Sequence, residues 1–335
     1  MNTLKTTSIF SLLLIACVGV FFGVDLYFYA NKPSEKTTEK RIFAIDQGQR
    51  LGEIAQRLAR EGLVRTPSKF RLLARIRRAD KHIKAGEYRL SAGMTPNEIL
   101  DAFTSGRVFL HKLTIPEGYT IRQIGNLIQT SDLGSEEAFT AFATDPQFAK
   151  ELGIPADTFE GYLYPETYHF PKGISEKEMI KAMVARLRKV MTPKWEERAA
   201  ELGMALHQVL TLASIIEKET GSAFERPMIS SVFHNRLKKK MRLESDPTVI
   251  YGISDFNGNL TRKDLRTRTP YNTYRIKGLP IGPIANPGFA SIEAALYPNT
   301  SDYLYFVSKK DSTHHFSTNI KDHNKAVRKY QLKRR

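Results

Sequence analysis

The chain has 335 residues, 41% of them hydrophobic and 26% charged, a globular composition with room for two or three domains. Its formal net charge of +16 and isoelectric point of about 9.7 imply an anionic partner: nucleic acid, acidic lipid headgroups or an anionic polymer. The single cysteine, Cys17, excludes disulfides and thiolate metal sites from the rest of the chain.

The first element is apolar. Ile9–Val24 reads IFSLLLIACVGVFFGV with no charge, and Asp25 is followed by LYFYA. Thr6–Ala30 is long enough to span a bilayer, and Tyr27, Phe28 and Tyr29 suit an aromatic belt at its exit. A cleaved signal peptide is the rival, but no clear small-residue cleavage site follows the run. Leu14-Ile15-Ala16-Cys17 resembles a lipoprotein cleavage box, yet the apolar run continues past Cys17. By the positive-inside rule the flanking charges lean, if anything, toward a cytoplasmic location for the bulk of the chain, and a short N-in tail stays open beside it. Lys5 precedes the segment, and Lys32, Lys36, Lys40 and Arg41 follow it.

Asn31–Lys40 is polar and reads as a linker. From Arg41 to about Val108 the pattern predicts strand, helix, helix, strand, helix. Ile42–Ile45 is the first strand. Leu51, Ile54, Ala55 and Leu58 keep helical spacing and stop near Gly62. Tyr88-Arg89-Leu90 alternates as a strand, and Thr95 caps a helix carrying Ile99, Leu100 and Phe103. Gly48, Gly93 and Gly118 each precede an isoleucine by six residues, after a strand-like stretch and before an amphipathic helix. This unit resembles LysM domains, which bind N-acetylglucosamine polymers. A plain small α+β domain would show the same pattern.

Ser131–Trp195 reads as helical with one loop, Phe159–Tyr168. That loop gathers Glu160, Tyr162, Tyr164, Glu166 and Tyr168 around a glycine and a proline. Tyrosines stack on sugar faces and carboxylates accept from hydroxyls; a packed structural turn is the alternative.

Val209, Leu212, Ala213 and Ile216 predict a helix through Ala213-Ser214-Ile215-Ile216-Glu217-Lys218-Glu219, with Gly221 placed to end it. Two residues apart, Glu217 and Glu219 diverge by roughly 200°, so one helix presents one carboxylate to a substrate. A hydrolytic glycosidase needs two, flanking the bond. At a helix C-terminus with apolar neighbours a glutamate is held protonated, as a general acid requires near neutral pH. The spacing favours Glu219 slightly over Glu217. A solvated surface is the ordinary reading of such an EKE triplet.

Downstream come Ser231–Leu237 (SVFHNRL), Met241–Gly252 (MRLESDPTVIYG), Tyr271–Tyr274 (YNTY), Gly278–Gly288 (GLPIGPIANPG) and Tyr303–Val307 (YLYFV). With the ASIIEKE helix, these motifs in this order resemble the endolytic murein transglycosylases, the YceG-like family. The resemblance covers nearly all of the chain beyond the apolar segment. The loop Ser254–Gly258 looks slightly short beside the family pattern.

The resemblance implies cleavage of the MurNAc–GlcNAc β-1,4 bond within peptidoglycan strands, leaving a 1,6-anhydro-MurNAc end. It implies one catalytic glutamate, Glu219, with Glu217 as runner-up. Expected substrate-binding residues are Glu160, Tyr162, Asp246, Thr248, Tyr251, Tyr271, Asn272, Tyr274 and Asn286. The implied partners are peptidoglycan glycan strands, the inner membrane and penicillin-binding peptidoglycan synthases. Because that substrate lies outside the cytoplasmic membrane, the resemblance also orients the anchor, with the catalytic domain on the periplasmic side.

The expected architecture is α+β: a transmembrane helix (1–30), a linker (31–40), a LysM-like domain (41–110) and a mixed α+β catalytic domain (111–335) with a helical insert at about 131–195. The catalytic glutamate sits near the C-terminal end of a helix. No cofactor is expected. His314, His315 and His323 are too scattered for a metal site. No nucleic-acid motif accompanies the dispersed charge. Lys329–Arg335 reads as a solvated basic tail. The alternative function is a non-catalytic glycan-binding scaffold of the wall-synthesis machinery.

Overall fold

The computed structural model describes residues 2–332, with side chains from Leu13 onward; Lys5 and the start of the apolar run therefore fall outside the side-chain description, and 333–335 outside it altogether. Two compact units form. The first runs to His111 and takes in His169–Gly173; the second holds Lys112–Tyr168 and the chain from Ile174 on.

In the first unit, helix α1 (Asn2–Asn31) contains the stretch Leu13–Asn31, apolar enough to cross a membrane with a mean hydropathy of 2.0. A signal sequence meets the same description. Then follow β1 (Arg41–Ile45), α2 (Leu51–Arg60), α3 (Pro67–Ile76), β2 (Gly86–Leu90) and α4 (Pro96–Ser105). β1 and β2 pair antiparallel, from Arg41 opposite Leu90 to Ile45 opposite Gly86. Ile54, Ala55 and Leu58 of α2 share one helical face, and they bury it against Phe43, Tyr88 and Phe103. Thr95 and Glu98 form a reciprocal capping box at the start of α4, as the spacing predicts. The stretch between α1 and β1 is not loose. Glu35 N donates to Ala92 O, and Ser91 Oγ to Thr37 O. A Cβ on Gly93 would lie 1.9 Å from Thr37 O, so only glycine lets these backbones meet.

The chain continues through β3 (Leu110–Thr114), α5 (Ile121–Thr130), α6 (Glu136–Ala143), α7 (Pro146–Glu151), β4 (Thr167–Pro171), α8 (Glu176–Val190), α9 (Pro193–Glu201) and α10 (Leu206–Glu219). It closes with α11 (Arg226–Lys238), α12 (Asp246–Tyr251), α13 (Arg262–Arg266), α14 (Phe289–Leu296), β5 (Tyr305–Ser308), β6 (His314–Ser317), α15 (Ile320–Val327) and a short π-helix, Arg328–Leu332. β3 pairs with β4, and β5 with β6.

Three expectations are corrected. The region 131–195 is not purely helical: β4 follows its Gly/Pro loop, with Tyr168 and Phe170 alternating inward. Gly221 does not end α10, because Thr220 already leaves helical space at φ −146°. The basic tail begins folded, since Gln331 Nε2 donates to Ser308 O at 2.7 Å.

Candidate active site

α10 is buried on every side from Val209 to Ile216, so its stripe marks a central helix of the second unit rather than an amphipathic surface helix. Its last turn emerges with two glutamates that diverge, as their spacing requires. Glu217 turns inward to structure. Its carboxylate accepts from Arg226 Nη2 at 3.2 Å and from the backbone N–H of Gly288 at 3.0 Å. Gly288 is the N-cap of α14, where a helix favours a negative charge. Arg226 and Glu217 expose only 10% and 7% of their side chains.

Glu219, the final residue of α10, borders a cavity of about 350 Å³ with Arg236, Glu244, Asp246, Tyr274 and Tyr305. Ser245 Oγ donates to its Oε1 at 2.5 Å. Burial pushes the Glu219 carboxyl up to about 7. The Ser245 hydrogen bond opposes that rise, Asp246 adds to it through like charge, and Arg236 opposes it.

The cavity holds two further carboxylates, and each is engaged. Glu244 pairs with Arg236 at 3.3 Å, and Asp246 accepts from the Tyr274 hydroxyl at 2.7 Å. Arg236 also donates to the carbonyls of Leu243 at 2.8 Å and Leu304 at 2.6 Å, tying the wall of the cavity together.

Ser245 stands at the N-cap of α12 but makes no capping bond with its side chain. The hydroxyl is diverted to Glu219. Buried threonines hold its backbone instead: Ser245 N donates to Thr273 Oγ1 at 3.0 Å and Thr248 Oγ1 to Ser245 O at 2.7 Å. Thr248 is thus fully buried behind the site. Asn272, also fully buried, donates its amide to the carbonyls of Asp264, Leu265 and Thr267, and accepts from Tyr274 N. It fixes the loop that presents Tyr274.

The remaining expected residues gather elsewhere. Glu160, 3% exposed, accepts from Ile121 N at 3.2 Å, the Tyr251 hydroxyl at 3.0 Å and Asn286 Nδ2 at 2.9 Å. Burial raises it too to about 7, against those three hydrogen bonds and a fourth from the backbone of Gly161. Tyr251 meets Tyr271 edge to face at 4.8 Å. Glu160 and Tyr271 border a second cavity of about 800 Å³, together with His207. Tyr162 is buried with its hydroxyl 2.9 Å from His207 Nδ1. The structure therefore brings Glu219, Asp246 and Tyr274 together, and groups Glu160, Tyr251, Tyr271 and Asn286 apart from them, with α12 carrying Asp246 at one end and Tyr251 at the other.

Sequence reasoning did not single out Ser245 or Arg236. A serine before Asp-Pro reads as a helix cap, and nothing local reveals that its hydroxyl reaches a residue 26 positions earlier. Among the described residues, no group of three or more His, Cys, Asp or Glu side chains is placed to hold a metal ion.

The family described as YceG-like matches residues 43–329. An endolytic murein transglycosylase of Bacillus subtilis is 35% identical over 317 residues, covering 89% of this chain and 87% of that protein. The endolytic murein transglycosylase of Streptococcus pneumoniae D39 is 27% identical over 348 residues; the match takes in 94% of this chain and 63% of that longer protein. The 2.6 Å crystal structure of a yceG-like protein from Listeria monocytogenes superposes with a TM-score of 0.60 at 36% identity, covering 86% of this chain and 99% of that one.

Proposed function

The chain belongs to the YceG-like family and is a lytic transglycosylase of peptidoglycan, and from that premise we propose that Glu219 is its one catalytic carboxylate. The supporting observation is the division of labour at the end of α10. Glu217 is locked between Arg226 and the start of α14, whereas Glu219 faces a cavity with its carboxyl raised to about 7.

Protonated Glu219 donates its proton to the glycosidic oxygen as the bond from C1 of MurNAc breaks. The carboxylate left behind takes the proton of the C6 hydroxyl of the same sugar, whose oxygen closes on C1. The products are a 1,6-anhydro-MurNAc end and a free GlcNAc hydroxyl, with no water consumed and the acid regenerated. The nucleophile belongs to the substrate, so no second free carboxylate is required. Asp246 and Tyr274 line the same cavity and position the sugar. Tyr271, on the second cavity, belongs to a more distant part of the glycan path, where buried Glu160, Tyr162, Tyr251 and Asn286 hold the wall, as Thr248 and Asn272 do behind Glu219 and Tyr274.

Digestion of uncrosslinked glycan strands, read by mass spectrometry, tests this chemistry. Products should carry anhydro ends, one water lighter than hydrolytic ones. Reducing ends would sink the proposal and make Asp246 the base for an attacking water.

The pH profile gives a second test. Catalysis begins with the acid form, so kcat/KM should hold below about 7 and fall tenfold per pH unit above it. Ser245→Ala removes a hydrogen bond that favours the carboxylate and should move the alkaline limb upward. Asp246→Asn removes a like charge and should move it downward. A limb unmoved by both variants would show that another group titrates.

α1 serves as a single-pass membrane anchor with the catalytic unit on the periplasmic side, where peptidoglycan is exposed. Its length and hydropathy support this. The two-helix excursion between antiparallel β1 and β2 supports a LysM-like, glycan-binding reading of 41–110. Cutting nascent strands places the enzyme beside penicillin-binding synthases and ends strand elongation.

A further inference from the structure

α3 carries a surface that is no part of the cavity at the end of α10. Phe70, Leu73 and Ala74 bury one side of this helix in the first unit's core. On the opposite side Leu72 and Ile76 lie one turn apart, 47% and 62% exposed. Arg71 and Arg75 are exposed beside them and make no ion pair among the described residues. The sequence from Arg65 to Arg78, RTPSKFRLLARIRR, holds six cations and no carboxylate. An exposed aliphatic pair flanked by arginines is the composition of a helix that lies in a lipid–water interface.

The same helix is joined firmly to the apolar one. Lys69 Nζ pairs with Asp25 of α1 at 2.6 Å, and the Tyr29 hydroxyl donates to Thr66 O at 2.9 Å. Ala30 is buried in the first unit's core, and Leu26 and Tyr29 pack against it. Asp25, Lys32, Arg65 and Lys69 surround a cavity of about 200 Å³ where α1 meets this unit. α3 therefore keeps one position beside the point where the apolar stretch ends.

We propose that the exposed face of α3 docks on the anionic phospholipid headgroups of the leaflet from which α1 emerges, with Leu72 and Ile76 entering the interface and Arg65, Arg71, Arg75 and Arg78 meeting phosphates. The occupant is the lipid surface because the face is continuous with a membrane-length helix and its charge is of one sign. This rests on the reading of α1 as a membrane anchor.

The full chain, in a Cys17→Ser background, is spin-labelled singly at Leu72→Cys, Ile76→Cys or, as the anchor control, Phe21→Cys. Each protein is reconstituted in phosphatidylcholine vesicles with or without phosphatidylglycerol. Labels at 72 and 76 should lose collisions with a water-soluble nickel complex and gain them with oxygen when phosphatidylglycerol is present. Adding Arg71→Gln and Arg75→Gln should weaken docking roughly thirtyfold and return both labels to water. Labels at 72 and 76 that stay in water while the label at 21 is lipid-protected overturn the proposal and leave the anchor standing. A label at 21 that stays in water overturns the anchor reading, and the proposal with it. Protection at 72 and 76 by added glycan strands, and not by lipid, overturns the proposal in favour of a wall polymer.

Discussion

Glu219→Gln should abolish formation of anhydro products, lowering kcat by about 10³-fold or more, with glycan binding intact. One carboxyl supplies the proton to the leaving oxygen and then removes the proton from the C6 hydroxyl, so its loss removes both transfers. Glutamine keeps the size and the acceptor that Ser245 Oγ uses. Stability should respond in the opposite direction. The Glu219 carboxyl is raised to about 7 in the folded chain. In the unfolded chain it ionises first, so the native state binds more protons between about 4.5 and 7, and stability falls as pH rises through that window. The variant lacks this loss. Its thermal midpoint should match the parent at pH 4, exceed it increasingly as pH climbs from about 4.5 to 7, and hold a constant advantage above that. Retained anhydro product would remove Glu219 from the chemistry. A lowered midpoint at all pH values would mark it as structural.

Glu217→Ala should do the reverse: cost about 3 kcal/mol of stability, roughly 6–12 °C in thermal midpoint, while the folded fraction keeps its chemistry. Arg226 would remain buried with Glu117, at 3.9 Å, as its one remaining carboxylate among the described residues. The Gly288 N–H at the start of α14 would lose its acceptor. Glu117 already has its carboxyl raised by burial and by the Glu217 charge, with Arg226 opposing, so the three groups act together. If Glu217→Ala folds normally and loses anhydro product, the two glutamates must exchange roles.

How much of this is legible in the chain depends on the range of each interaction. The order β1, α2, α3, β2, α4 follows from spacings of three and four residues at Ile54, Ala55 and Leu58, and from a capping pair at Thr95 and Glu98. The divergence of Glu217 and Glu219 is likewise a local property of one helix. β4 was hidden because Thr167 and Tyr168 belong equally to the Gly/Pro loop before them, and five residues carry little alternation. The separation of Glu160 from Glu219 was also out of reach. It depends on Asn286 lying 126 residues from Glu160 and on Ser245 turning away from its own helix. Motif order names these residues without saying which share a cavity.

The hydrogen bonds around Arg236 bear on when the enzyme first becomes competent during its synthesis. Arg236 closes the cavity by donating to Leu304 O, 68 residues further on, and Tyr305 forms part of the same wall. A nascent chain that has released α10 already owns its acid but not the enclosure that desolvates it. Until about residue 305 has emerged and folded, the cavity beside Glu219 lacks both the Arg236–Leu304 hydrogen bond and its Tyr305 wall. The order of residues along the chain thus leaves this cavity to be completed late in synthesis, well after its carboxyl has been made.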